Sequence, residues 1–212
     1  MSKICFSYLF GNKDKWIEPN INKINTDWHY VLFTDQPIKS DLYHVVKYPI
    51  DETSSRIHSR KIKTFGADNF FQANLTQVFH HDANIIVNCD LDELPEFMVM
   101  KHPFHWCAFK EIELCKKLKK DTVENLNKAK AKLLDYEWRE NAGLFANGLM
   151  MRPNTFEVNS LSHDWWNHVK NFSVRDQIFL PYLLNKHNLK PAVIEWESLI
   201  GSKFLMHNHL TK

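Results

Sequence analysis

What most constrains this chain is the alternation of short β-forming runs with helix-forming stretches. "KICFSYLF" (Lys3 to Phe10) is apolar, ends at Gly11 and reads as a first strand followed by a loop. "HYVLFTD" (His29 to Asp35) reads as a second strand, ending on a carboxylate, and "YHVVKYP" as a third. Between Ser54 and Phe71, "SSRIHSRKIKTFGADNFF" reads as a basic helix with Ser54 or Ser55 near its cap. "ANIIVNCD" then reads as a buried strand by its β-branched run, and "EFMVMKHP" as a further one.

Residues Lys110 to Arg139 hold no Gly or Pro, and their apolar positions fall near helical spacing: a solvated helix or a helical hairpin. "GLFANGLMMRPN" reads as a strand interrupted at Asn147-Gly148, "SVRDQIFLPYLLNKH" as a helix started by Ser173, and "PAVIEW" as a late strand. Strands alternating with helices imply an α/β fold, a mixed and mostly parallel sheet flanked by helices. With 212 residues, no repeats and no linkers, one domain spanning 1–212 is expected.

Composition narrows the partners. Net charge is +2, too balanced for bulk attraction to nucleic acid or a membrane surface. No apolar run approaches the ~20 residues that span a bilayer, and the N-terminus lacks the pattern of a signal peptide. The four cysteines show no CxxC pair or framework spacing, which points to a reducing compartment, the cytoplasm (a host's, if the gene is viral).

"IIVNCDLDEL" packs Asp90, Asp92 and Glu93 into four positions after a β-run. Like charges so close repel unless a cation joins them. Hard divalent ions such as Mg²⁺ and Mn²⁺ take oxygen ligands of this kind. A helix N-cap, where acids are also favoured, is the other account of the same string. His207 and His209 in the late "HNH" offer imidazole to a borderline ion such as Mn²⁺, although those letters by themselves favour a frayed polar tail. Arg56, Arg60 and Lys63 share one helix face by spacing, either to hold phosphate or simply as a solvated basic surface.

Taken in order, "FGNKD", "LFTD", "SRKIK", "CDLD", "NG" and "RDQ" resemble a GT-A-type glycosyltransferase. The likeness is to glycosyltransferase-like proteins of bacteria, plants and large viruses that share FG.YD, SR..K and RDQ marks. It runs roughly from Lys3 to Leu184. It implies a GT-A-like, Rossmann-like fold with a nucleotide-sugar half over about 1–100 and an acceptor half over about 101–212. It further implies a metal-dependent transferase moving a sugar from a UDP-type donor to a glycan or glycoprotein acceptor, with Mn²⁺ or Mg²⁺ as cofactor.

By position, the resemblance assigns Phe10, Gly11 and Asp35 to base and ribose. Arg60 and Lys63 go to the phosphates, and Asn147 and Gly148 to the donor sugar. Asp90, with Leu91 beside it, and Asp92 go to ribose and metal, His207 or His209 completes the metal shell, and Asp176, Gln177 and Arg175 mark the reaction centre. Lys13 stands where the family has an aromatic residue, and Glu93 where it has an apolar one. Trp165 and Trp166 could stack on sugar faces or pack in the core. Two other readings remain: a nucleotide-sugar-binding module without transfer activity, and a DxD phosphohydrolase. The second is disfavoured by Leu94 where Thr or Val is usual and by the motif's mid-chain place.

Overall fold

Side chains alternate faces along an extended strand, and β1 (Ser2–Leu9) uses both of them. Ile4, Phe6 and Tyr8 enter one apolar cluster while Cys5 and Leu9 enter another. β2 (His29–Thr34) repeats the pattern, with Val31 and Phe33 in the first cluster and Tyr30 and Leu32 in the second. Strands apolar on two faces belong inside a covered sheet.

The computed structural model describes residues 2–11, 14–50, 55–65 and 75–209. The further strands are β3 (His44–Lys47), β4 (Leu75–Asp82), β5 (Ile85–Val87), β6 (Met98–Lys101), β7 (Phe145–Pro153), β8 (Ala192–Ile194) and β9 (Phe204–Met206). Seven of them form one sheet in the order β3-β2-β1-β4-β7-β6-β8, and β5 pairs with β9 in a separate ribbon. β7 runs antiparallel to β4 and β6, and every other pairing of the main sheet is parallel. The carboxyl ends of β1, β2, β4 and β6 therefore share one edge with the start of β7. In open α/β sheets that edge is where ligands bind.

The helices are α1 (Ser55–Phe65), α2 (Ala108–Lys117), α3 (Val123–Asp135), α4 (Phe156–Asn171), α5 (Leu180–Lys186) and α6 (Trp196–Leu199). α1 lays Ile62 against Ile4, Phe6 and Val31 on one face of the sheet. The helices from α2 to α5 bury Ile112, Leu126, Leu161, Trp165 and Leu183 around Val99 and Met150. The result is the expected α/β arrangement, a mixed and mostly parallel sheet flanked by helices. Among the described residues no helix is long and apolar enough to cross a membrane.

Five elements differ from the sequence expectation. The strand β4, "LTQVFHHD", which pairs with β1, has no counterpart among the expected strands. Its two histidines disguise it, yet His80 and His81 are both buried. Only Ile85–Val87 of the expected strand "ANIIVNCD" is extended, and it pairs outside the main sheet. α4 has no counterpart among the expected helices, because its aromatic and β-branched residues are weak helix formers. Its signal was the Thr155 cap, whose hydroxyl accepts from the Val158 amide, ahead of Val158, Leu161, Trp165 and Val169 at helical spacing.

Ser173 starts no helix. Its hydroxyl donates to Asp121 Oδ2 at 2.7 Å, and α5 begins only at Leu180, with Pro181 in its first turn. Strand β7 runs through Asn147-Gly148 without a break. Two glycines have identifiable work. Gly11 turns the chain after β1 with φ of +68°, and a Cβ on Gly148 would meet Ile85 Cδ1 at 3.0 Å. The helical hairpin expected between Lys110 and Arg139 is α2 and α3. Ser54, Asn12 and Lys13 lie outside the described residues.

Candidate functional site

A cleft of about 770 Å³ opens at the carboxyl ends of β1, β2 and β4. Its floor is the turn after β1, where the Gly11 amide donates to both oxygens of Asp35 at 3.1 and 3.2 Å. Helix α1 lines one side with Ser55, Arg56, Ser59 and Arg60, and the end of β4 supplies Asp82, Ala83 and Asn84. His209 completes the lining. The β5–β9 ribbon brings it there: Ile85 pairs with Met206, so His207 lies against Asn84, whose carbonyl accepts from the His207 amide at 3.0 Å. Two residues on, His209 hydrogen-bonds Asp14 in the cleft.

Behind the cleft sits a buried charge network. Lys63, 2% exposed, places its ammonium 3.0 Å from Asp82 Oδ1 and 3.3 Å from Asp176 Oδ2. Arg60 Nε lies 3.2 Å from Asp176 Oδ1 and donates to the Val174 carbonyl. Tyr8 donates its hydroxyl to Asp82. Burial, then the charge of Asp82, pushes that phenol well above its ordinary value, so it remains a donor. Burial alone would raise the carboxyl of Asp176, but Arg60, Lys63 and Arg175 outweigh it and bring it down to about 2. Asp176 is thus a carboxylate at any ordinary pH, held among cations.

Asn147, at the start of β7, donates to Asp176 Oδ2 at 3.4 Å, while its own Oδ1 is buried without a hydrogen-bond partner. Trp165 is a core residue whose indole donates to the Asp176 carbonyl at 2.7 Å, and Trp166 packs beside Phe65. Arg152 is buried and donates to the carbonyls of Lys63 and Thr64, both at 2.9 Å, which holds the last turn of α1 in place.

Asp90 and Asp92 sit elsewhere. Asp90 caps a single 3-10 turn over Leu91–Glu93, its Oδ1 accepting from the Asp92 amide at 2.9 Å, and Leu91 is buried in the core. Asp92 Oδ1 receives the Lys3 ammonium at 2.7 Å and the Trp28 indole at 2.9 Å, and Asn25 reaches its Oδ2 at 3.2 Å. The hydrogen bonds from Lys3 and Trp28 hold the Asp92 carboxyl below its ordinary range despite burial's smaller opposing effect. Lys3 and Trp28 stand at the amino ends of β1 and β2. Six residues of strand, ~20 Å, separate Lys3 from the cleft end of β1. The positive partner of this acidic string is a lysine of the same chain. Glu93 has its own, Lys203.

Of the residues singled out in the sequence, Phe10, Gly11, Asp35, Arg60 and His209 line the cleft, and Lys63, Asp176 and Asn147 form the network behind it. His207 meets Asn84 through its backbone instead. Arg175 reaches away from the cleft, donating to Gln177 Oε1 at 3.0 Å and Glu111 Oε1 at 3.3 Å.

A second group on the same edge was not singled out. His102, His105 and Glu111 bring one ligand atom each to within 4.8 Å of one another. Their spacing, H-x2-H-x5-E after a β-run, was the signal that could have found them. Burial first, and His105 after it, keep the His102 imidazole below its ordinary value and so neutral at pH 7. Such a trio could hold a divalent metal ion, and in an α/β fold it is consistent with a metal-dependent enzyme in general. No protein-family model matches this chain, and no curated protein is similar to it.

Proposed function

We propose that the chain is a metal-dependent glycosyltransferase, taking a sugar from a nucleoside-diphosphate donor of the UDP type and passing it to a glycan or glycoprotein acceptor. The observation that carries this reading is the cleft itself. At one ligand-binding edge, cationic Arg56 and Arg60 face Asp82, Asn84 and His209 across a volume in the range of small-molecule sites.

In this reading Phe10, Gly11 and Asp35 receive the base and ribose, with residues 1–100 forming the donor half and 101–212 the acceptor half. Arg56 and Arg60 match the oxygens of a diphosphate, because guanidinium donors bind such groups two at a time. The donor set of Asp82 carboxylate, Asn84 amide oxygen and His209 imidazole suits Mn²⁺, or Mg²⁺ less well, and so fits the cofactor that the reading needs. Such an ion, when bound, supplies Lewis-acid stabilisation of the leaving diphosphate. This places the metal role on Asp82 rather than on Asp90 and Asp92, which are engaged by Asn25, Trp28 and Lys3.

In this reading Asp176 and Asn147, both buried behind the cleft, hold Arg60 and Lys63 in place for the donor, and Gln177 beside them marks the reaction centre. Lys63 holds the side chains of Asp176 and Asp82 in place. Binding stabilises a fold by mass action. UDP and UDP-sugars with Mn²⁺ should therefore raise the melting temperature of the wild type and not of Asp82→Ala. Mn²⁺-dependent turnover of a UDP-sugar, lost in Asp82→Ala and in His209→Ala, supports the transferase. Binding with no turnover leaves a donor-binding module, and phosphate release from simple monoesters overturns the reading.

A further inference from the structure

We propose that His102, His105 and Glu111 form a metal site of their own, for a divalent transition ion of the zinc class, separate from any ion in the donor cleft. The fold builds it from two adjacent elements. β6 ends at Lys101 and releases His102, the bend through Phe104 and His105 follows, and α2 starts at Ala108 with Glu111 in its first turn.

The dimensions suit an ion. In a tetrahedral site with bonds near 2.0–2.1 Å, two ligand atoms lie about 3.3 Å apart. His105 Nε2 and Glu111 Oε2 are 3.1 Å apart, and the His102 and His105 rings have centroids 4.4 Å apart. All three ligand atoms lie within 4.8 Å of one another, so seating the ion draws them closer by side-chain movement. The donor set, two imidazoles and one carboxylate, selects zinc, cobalt or nickel over magnesium, which prefers oxygen alone.

Groups behind the trio resemble those that orient real ligands. Glu111 is 4% exposed, and its other oxygen, Oε1, accepts from Arg175 Nη2 at 3.3 Å and Cys115 Sγ at 3.2 Å. That leaves Oε2 aimed at the histidines, as a supporting shell does in a metal centre. Three protein ligands among the described residues leave a fourth position for water, the pattern of reactive rather than purely structural zinc sites. The same Arg175 adjoins Asp176, and the site lies within the proposed acceptor half, outside the lining of the donor cleft. A metal-free account also exists, in which His105, Glu111 and Arg175 simply form an ion-pair network.

Titration of the metal-stripped full chain with Co²⁺ and Zn²⁺ decides between the two. The expected result is a tetrahedral Co²⁺ d–d absorption that saturates at one equivalent, independent of any ion in the cleft, and is displaced by Zn²⁺. Affinity should fall at least about tenfold in His102→Ala and in His105→Ala, since even supporting groups of a metal centre cost that much. His102 is only half-buried, so its alanine variant should fold. Asp82→Ala and His209→Ala should leave the Co²⁺ spectrum unchanged, which separates this site from the reading of the cleft. No tetrahedral Co²⁺ spectrum in the wild type, or one unchanged in both histidine variants, overturns the proposal.

Discussion

The chain carries two corners with a polar residue at each end, Asp82-Ala83-Asn84 with one carboxylate and Asp90-Leu91-Asp92 with two, and the fold sends them to opposite ends of the main sheet's strands. Asp82 ends β4 in register with Tyr8, near the end of β1. It opens into the cleft and is held from behind by Lys63. Asp92 meets Lys3 at the start of β1, at the other end of the strand. The first corner has its charge balanced from within and a face left for a ligand. The second has its oxygens engaged by Lys3, Trp28 and Asn25. Carboxylate count alone favours the second, which has two to the first's one. Strand direction and the cation behind each carboxylate distinguish them.

The largest effect expected from breaking this contrast comes from Lys63→Met. It leaves Asp176 without one of its two closest cations, and losing one member of a buried ion pair costs about 3–5 kcal/mol. Urea unfolding measures it; a loss under about 1 kcal/mol would show that the network does not organise this edge. Next, Asp82→Ala should lower Mn²⁺-dependent donor turnover by about a hundredfold, as removal of a metal-shell group does. Asp92→Ala should keep turnover within about twofold of the wild type at saturating donor, because substitutions outside the site mainly affect stability. Equal losses in the two variants would erase the distinction drawn here.

The third effect is on pH. Asp176 titrates at about 2 in the fold, below the ~3.9 of an unfolded aspartate. Its contribution to stability is therefore complete above about pH 4 and is lost as pH falls toward 2. Asp176→Asn should remove about 2 kcal/mol of that acid-dependent change, measured as unfolding free energy across the window. Asp92→Asn should alter it little, since solvent screens its pair with Lys3. The smallest effect belongs to Lys3→Ala, under about 1 kcal/mol in stability with donor-induced thermal shifts unchanged.

Much of the fold was legible because it is written in local periodicity. The alternating faces of β1 and β2, and the apolar stripes of α2 and α3, need only neighbours along the chain. β4 was hidden because two buried histidines look polar in a sequence; what makes them tolerable is tertiary, with His81 Nε2 meeting the Tyr43 hydroxyl at 2.9 Å. The same histidines kept Asp82, the carboxylate that ends this strand, from being singled out. Of the candidate site, the basic face of α1 and the late His209 were legible as residue types. Their common cleft was not, because it depends on the β5–β9 register and on Arg152 fixing the end of α1.

By itself, then, the sequence determined a mixed α/β sheet, the helical hairpin and a stock of carboxylates, guanidiniums and imidazoles. Only the tertiary structure decided which of them share an edge. Periodicity is set within a few residues, whereas the partner of a charge is set by strand order and register, which join residues as far apart as Lys3 and Asp92 or Asp14 and His209.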